Sequence, residues 1–428
     1  MRQRLRTAFA LWGAAVVALA GCGRPAARGP GPGTPLVTLG TAARPTLRVA
    51  CASIDEAPLQ EAVEVWDTQR PDIAVTLNAE PSAEAPADVS MCGPEVFRGL
   101  LRDGDLLDLT PYVVRDHYDI GDLDWRAVEL FKDGDRLYGL PAETGADVLY
   151  YNTDLFRANR LGVPTSEWRW EDFLGAARAL TRDNDGDGLT DQYGFLCTGG
   201  ASGQWLPWVW GAGGQVLDES GARCLIDQPA AVEGIAFYTD LVTKERVALP
   251  LWDGRDGTGL GEDLFATGRV AMCAGPPEFA ARANGFADMH WAIALLPRGP
   301  KARATRIAAR AYVIFSATAR PDDAWELVKF LASPAVESLL ARHYMVPPRP
   351  TLRLVGPSLT AELAWDVTVF TQAIRDARAE PLVAGRQPVH DLMWEEFDLV
   401  LRGQASPPVA ATQMRRRVEE ALRQERTH

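Results

Sequence analysis

The chain is short of positive charge. Lys and Arg number 44 against 57 Asp and Glu, a formal net charge of −13. A nucleic-acid binder needs a basic stripe to neutralise phosphates, so that class is set aside. Catalytic signatures are missing as well: there is no His-Glu-x-x-His run, no Gly-x-Ser-x-Gly, no P-loop and no Cys-x-x-Cys. The histidines, His117, His290, His343, His390 and His428, are scattered. Gly257, Gly259 and Gly261 bring the third glycine one position too early for a dinucleotide loop, and no clear strand precedes them, so they read as an ordinary loop. A carboxylate pair for glycoside hydrolysis is a spatial fact that spacing does not reveal. Long apolar runs are lacking too, since Ala8–Ala20 has about 13 residues where a bilayer core demands roughly 20. The 38 Gly and 30 Pro follow no period, which excludes collagen-like order.

What is present begins with length. At 428 residues, 47% hydrophobic and 24% charged, the chain exceeds the roughly 250–300 residues at which a single core stops growing, which predicts at least two lobes. Arg2, Arg4 and Arg6 precede the short apolar run, the layout of a secretory signal. That run ends in Leu19, Ala20, Gly21, Cys22, which resembles the lipobox of bacterial lipoproteins, whose cysteine is acylated and becomes the mature N-terminus. The resemblance implies a signal peptide over 1–21, lipidation of Cys22, and an extracytoplasmic protein anchored by lipid to the bacterial cell membrane. Loss of the leader takes the side-chain charge to about −16. Residues 22–45 are Gly, Pro, Ala and Arg with almost no large apolar side chain, and such a segment reads as a tether because it cannot bury enough surface to offset its chain entropy.

Strand and helix signals then alternate. Thr46–Ala52 is strand-like, Leu59, Ala62, Val63 and Trp66 share one helical face, Ile73–Leu77 and Asp88–Met91 are strand-like, and a helix is expected around Pro94–Leu101. The order strand, helix, strand, strand, helix predicts a mostly parallel sheet covered on both faces, with ligands outside the carboxyl ends of its strands.

The middle of the chain is the most informative. Leu137-Tyr-Gly-Leu-Pro141 leads into Val148-Leu-Tyr-Tyr-Asn152, then Trp170-Glu-Asp-Phe173, then Asp191-Gln-Tyr-Gly-Phe195. Trp208, Gly213, Gly214, the helix Pro229–Val242, the Phe265–Met272 segment, Ala324–Leu331, Gly403 and Ser406 follow in order. This series resembles the family 1 extracellular solute-binding proteins of ABC importers, the maltose-binding-protein-like group, over nearly all of residues 46–425. The resemblance implies an α/β, periplasmic-binding-protein-like fold: two α/β lobes with three inter-lobe crossings and a ligand cleft between them. The crossings are expected near Glu143–Ala146, Gly275–Pro277 and Phe315–Ala317. The N-terminal lobe would then comprise 46–143 and 277–315, and the C-terminal lobe 144–276 and 316–428. One departure stands out: where the family often has a Gly pair before the third crossing, this chain has Ala308 and Ala309, followed by Arg310.

The implied function is non-enzymatic capture of a sugar or oligosaccharide for ABC permease subunits, by a monomer. An exported glycan-active enzyme and a sensory or scaffold lipoprotein on the same fold are the alternatives. Sugars stack their C–H faces on rings and hydrogen-bond through hydroxyls, so ligand contact is expected from Trp205, Trp208 and Trp210, of which Trp208 is the best core candidate. Ser53, Glu143, Thr144, Glu278, Arg310 and Tyr312 complete the candidate set. Asp183, Asp185, Asp187, Gly188 and Asp191 match positions of a calcium loop, but Gly194 stands where a bidentate Glu belongs, so a solvated acidic turn is preferred over calcium. No other cofactor is expected. Once Cys22 is acylated, an odd number of cysteines remains. Cys51 and Cys92 end strands expected side by side and are the disulfide candidate, with Cys197 and Cys224 a weaker pair and Cys273 left over.

Overall fold

The computed structural model describes residues 44–78, 87–199, 203–251, 260–286, 289–354, 367–383 and 387–425. The signal segment, Cys22, nearly all of the tether, Gly257 and Gly259 lie outside the described residues. The first elements are β1 (Thr46–Ala50), α1 (Ser53–Gln69), β2 (Ala74–Asn78), β3 (Val89–Cys92) and α2 (Pro94–Asp103), in the order the pattern predicts. Helix α1 buries Leu59, Ala62, Val63 and Trp66 along one face, and Asp55 and Glu56 occupy its first turn, where the helix dipole favours carboxylates. The Trp66 indole donates to the Ile73 carbonyl at 3.2 Å, tying the end of α1 to the strand that follows. Strand β1 pairs in parallel with both β2 and β3.

The chain continues through β4 (Gly139–Ala146), β5 (Val148–Asn152), α3 (Trp170–Leu180), β6 (Phe195–Thr198), α4 (Leu206–Gly211) and α5 (Pro229–Thr243). Then come β7 (Ala248–Leu251), β8 (Met272–Gly275), α6 (Glu278–Ala283), β9 (Trp291–Ala294) and β10 (Thr305–Ile314). The last elements used below are α7 (Pro321–Leu331), α8 (Pro334–Leu340), β11 (Ala377–Arg378), α9 (His390–Leu401) and α10 (Pro407–Glu425). Two groups of strands result. In the first sheet, β10 lies antiparallel to β3 on one edge and to β4 on the other, and meets β11 in parallel at its start, so the sheet is mixed rather than mostly parallel. In the second, β5 runs antiparallel between β8 and β9, and β6 pairs in parallel with β7.

Strand alternation gives each sheet a core on either face. Val89 and Met91 pack with Leu47, Val49 and Trp66, whereas Cys92 turns to Phe97 and Phe131. Val148 and Tyr150 pack with Phe279, whereas Leu149 and Tyr151 face Phe173 and Trp208, in the core that α9 and α10 close with Phe397 and Met414. Among the described residues no helix is long and apolar enough to cross a membrane.

The passages between the two groups fall at three places. On β4, Leu140 and Ala142 belong to the first group of cores and Ala146 to the second. On β10, Ile307 packs with the second and Ala309 to Ile314 with the first. Between Met345 and Val346 the chain changes core once more. Two expected boundaries move accordingly. Gly275–Pro277 is not a passage, because α6 stays in the core of β8 through Phe279, Ala280 and Ala283. Phe315–Ala317 lies beyond the end of β10, and α7 and α8 pack under the first sheet through Trp325, Leu327, Val328 and Leu340. Amphipathic helices of this kind dock on either lobe, and only the tertiary contacts choose.

The cysteines also need correction. Cys51, Cys92, Cys197, Cys224 and Cys273 are all buried, and none forms a disulfide among the described residues. The register Ala50↔Ser90 sets Cys51 beside Met91 and leaves Cys92 on the opposite face of the sheet, so the Cys51 and Cys92 side chains point apart. Burial pushes the Cys51 thiol up to about 11 and the Cys92 thiol up to about 12, far from the reactive thiolate form.

Helix packing generates a clean test. A Cβ built on Gly234 of α5 would lie 2.4 Å from the Val209 Cα and 2.5 Å from the Trp208 carbonyl oxygen, so α5 and α4 touch backbone to backbone there. Gly175 on α3 meets nothing within 4 Å. In urea unfolding, Gly234→Ala is expected to cost about 3 kcal/mol, and Gly175→Ala to stabilise by about 1 kcal/mol through helix propensity.

Candidate functional site

The site is built where the passages meet. Strand β4 pairs with β10 so that Glu143 stands opposite Arg310, and the next pair is Pro141 with Ala311. Ala142 is therefore the extra residue of a β-bulge, the kind of irregularity that re-aims a side chain. Arg310 donates from Nε to Glu143 Oε2 at 2.7 Å and from Nη1 to Asp55 Oδ2 at 2.6 Å. Its Nη2 lies 2.5 Å from the same Glu143 oxygen. The other Glu143 oxygen accepts from the Val346 backbone N–H at 3.3 Å, and the Thr144 N–H donates to the Val346 carbonyl at 2.9 Å. One carboxylate thus touches all three passages. Burial pushes Glu143 up to about 7, with Arg310 pulling the other way and Glu278 and Asp55 adding to the rise. Burial alone would lower the Arg310 guanidinium, but Glu143 and Asp55 outweigh it and hold it above its ordinary value.

A second cluster sits four residues back on β10. Arg306 Nε donates to Asp147 Oδ2 at 2.9 Å, and Nη1 lies 3.8 Å from Glu380 Oε2. The other Glu380 oxygen is hydrogen-bonded to His390 Nδ1. The Thr305 hydroxyl donates to the Asp147 carbonyl at 2.6 Å. Asp147 is 2% exposed, and its Oδ1 has no hydrogen-bond partner.

Both clusters border one cleft of about 310 Å3, lined by Glu95, Arg98, Glu143, Asp147, Glu278, Arg306, Arg310 and Glu380 together with small and apolar residues, among them those of β10, α2 and the Pro276–Pro277 turn. Gly145 is required here: a Cβ on it would stand 2.2 Å from the Pro277 ring, so its hydrogen lets the turn before α6 close against β4.

Of the residues expected at the ligand, Glu143, Glu278 and Arg310 line the cleft. Ser53 is exposed at the start of α1, two residues before Asp55. Thr144 is buried behind Glu143 with its hydroxyl unpartnered, and Tyr312 is wholly buried in the first core with its hydroxyl unpartnered. The three tryptophans are not cleft residues. Trp205 stacks on Phe397 with ring centroids 5.1 Å apart, Trp208 packs against Trp170, Phe173 and Phe237, and Trp210 lies under the Arg378 guanidinium. All three are at most 3% exposed, because α4 is buried on every side. Among the described residues no aromatic ring lines the cleft.

In the acidic turn, Asp183, Asp185 and Asp187 bring carboxylate oxygens within 4.8 Å of one another. Those carboxylates accept the N–H groups of Gly186, Gly188, Asp187 and Leu189, and Asp191 accepts from Asn184, so the loop supplies its own donors.

Asp55, Glu95, Asp147, Arg306 and Glu380 escaped the sequence reading. A signal existed for two of them: Asp147 interrupts the run Thr144 to Asn152, which is otherwise uncharged, and Arg306 repeats Arg310 at a spacing that keeps one strand face. Nothing local marks Glu380, which reaches the site through tertiary packing alone.

Residues 53–338 match the sequence model of the bacterial extracellular solute-binding proteins, and the chain belongs to that family. A binding protein of Brucella abortus is 23% identical over 367 residues, 80% of each chain. Among solved structures, an ABC substrate-binding protein of Listeria monocytogenes in complex with cycloalternan superposes with a TM-score of 0.76 at 21% identity, covering 89% of this chain and 99% of that one. UgpB of Mycobacterium tuberculosis in complex with glycerophosphocholine gives 0.75 at 16% identity, with 90% and 99% covered. The fold is that of periplasmic solute-binding proteins, and membership of the family makes this an extracytoplasmic solute-binding protein.

The buried carboxyl at the crossings makes stability depend on pH with a definite sign. Glu143 titrates at about 7 in the folded chain against an ordinary 4.5, so its favourable contribution is complete below pH 4.5 and is lost as pH rises through 7. Glu337, pushed up to about 8 by burial despite Arg349, acts in the same direction. Unfolding free energy is expected to fall between pH 5 and 8, and Glu143→Gln to remove about 2–3 kcal/mol of that fall. Denaturant titration of both proteins across this range measures it.

Proposed function

We propose that this protein is the lipid-anchored, substrate-capturing component of an ABC importer, and that it binds a sugar or oligosaccharide in the cleft between two lobes. The observation that carries the reading is the position of the cleft: its floor is the pair of strands that pass between the cores, and its walls come from both sides. The lobes divide at 142–146, 307–311 and 345–346. A solute touching Glu95 on α2 and Glu278 on α6 contacts both lobes, and so favours the closed arrangement by its differential affinity. The closed form is what the permease subunits recognise. Carbohydrate is supported by the ligands named with related structures, cycloalternan and, for the GacH receptor of Streptomyces glaucescens, acarbose. Polar acceptors such as the free Asp147 oxygen suit hydroxyl donors. Delivery to a permease, action as a monomer and the absence of catalysis belong to the same proposal. So does attachment through Cys22, with the tether holding the lobes off the membrane.

A glycan-active enzyme has one observation in its favour, the raised Glu143. Against it, that carboxylate is bonded to Arg310 and Val346 and has no free oxygen with which to protonate a leaving group.

The mature domain is expected to gain thermal stability from its sugar, about 2.7 kcal/mol at a hundred times Kd. It should also become more compact by small-angle scattering and leave the sugar intact by chromatography. Product in excess of protein would transfer the assignment to the enzyme. Separately, Cys22→Ala is expected to move the protein from the membrane fraction to the soluble one with an unchanged melting temperature, because the tether stands outside both cores.

A further inference from the structure

The charges around the cleft restrict what it takes. Five carboxylates line it, Glu95, Glu143, Asp147, Glu278 and Glu380, against the guanidinium groups of Arg98, Arg306 and Arg310. The two arginines of β10 are each shared between two carboxylates, Arg310 by Glu143 and Asp55, and Arg306 by Asp147 and Glu380. Among the described residues Glu95 and Glu278 have no hydrogen-bond or ion-pair partner within contact distance, and each only feels an arginine of β10 through space, Glu95 Arg306 and Glu278 Arg310. They stand on different walls, Glu95 in the first turn of α2 and Glu278 in the first turn of α6. Asp147 lines the same cleft, and its unpartnered Oδ1 is an acceptor on a side chain nine-tenths and more buried. A buried acceptor without a donor is costly, and a charged donor satisfies it best.

Resting on the carbohydrate reading above, we infer that the solute carries a primary ammonium group: it is an amino sugar, held by its N–H donors to the Glu95, Glu278 and Asp147 carboxylates. A phosphorylated or acidic sugar would face five carboxylates against three guanidinium groups, and the two of β10 are already paired, which leaves Arg98 on α2. A quaternary ammonium has no N–H to give and calls for aromatic faces, and no ring lines this cleft among the described residues. A neutral sugar fills acceptors through hydroxyls but brings no positive charge to Glu95 and Glu278. Three N–H donors on one tetrahedral nitrogen satisfy the acceptors and the charge together.

The test offers sugars in matched pairs to the purified mature domain: glucose with glucosamine, and cellobiose with the β-1,4-linked glucosamine dimer. Glucose 6-phosphate and choline are added as the anionic and quaternary arms. Calorimetric titration is expected to show the amino member of a pair binding at least about tenfold tighter, as one charge-assisted hydrogen bond supplies. Added salt should weaken the amino member more than its neutral partner. Glu278→Gln and Glu95→Gln, at partly exposed and exposed positions that the fold does not depend on, should each narrow the preference within the pair, with circular dichroism confirming that the variants are folded. Equal or tighter binding of the neutral member, of glucose 6-phosphate or of choline overturns the inference while leaving a solute-binding protein in place. Binding of none of these compounds overturns the carbohydrate reading and this inference with it.

Discussion

The Glu143 carboxylate is the contact on which the rest of the molecule depends. It sits on one strand between the cores, is bonded through Oε2 to Arg310 on the second, and accepts through Oε1 from Val346 on the third passage. A carboxylate taken out of water at this point is costly, and the cost is offset only because the guanidinium and a backbone N–H are both in place. Any rearrangement of one passage relative to another must alter that set of bonds. The passages between the cores and the floor of the cleft therefore share the same few atoms.

The bulge at Ala142 explains how two charged residues come to face one another on strands that are otherwise apolar. In a regular antiparallel pair the alternation of Leu140, Ala142 and Ala146 would be matched residue for residue by Tyr312, Arg310 and Arg306. One extra residue changes the pairing so that Arg310 meets Glu143. Arg306 repeats the device toward Asp147, and Pro277 can approach because Gly145 has no side chain.

The paired arginines also set the electrostatic character of the site. Each arginine of β10 is held between two acids, so its charge is spent on the protein, while Arg98, Glu95 and Glu278 line the cleft beside them. The aromatic side chains around α4 build the core of the second group of strands. Trp208 and Trp210 lie on the six-residue helix and Trp205 caps its start, all with partners on all sides, an environment in which a large ring contributes most to stability by being wholly out of water.

Periodicity and local motif decide a great deal here. The face Leu59, Ala62, Val63 and Trp66, the strand, helix, strand, strand, helix opening, the Trp170 helix start and the family order of short motifs are properties of neighbouring residues, and each was legible because hydrophobic spacing and turn chemistry act over a few positions. Glu143, Glu278 and Arg310, which line the cleft, stand out in the sequence because they lie beside such motifs. What spacing does not carry is the face on which a strand residue finally points or the lobe on which a helix finally docks. The register turns Cys92 to the far side of the sheet from Cys51, α7 and α8 pack in the core of the first sheet, and the tryptophans are buried in the core of the second group. Glu380 and Asp55 reached the arginines of one strand from opposite ends of the chain. Those outcomes depend on packing between segments hundreds of residues apart, whose free energy is shared over whole surfaces and is written in no single stretch of the chain.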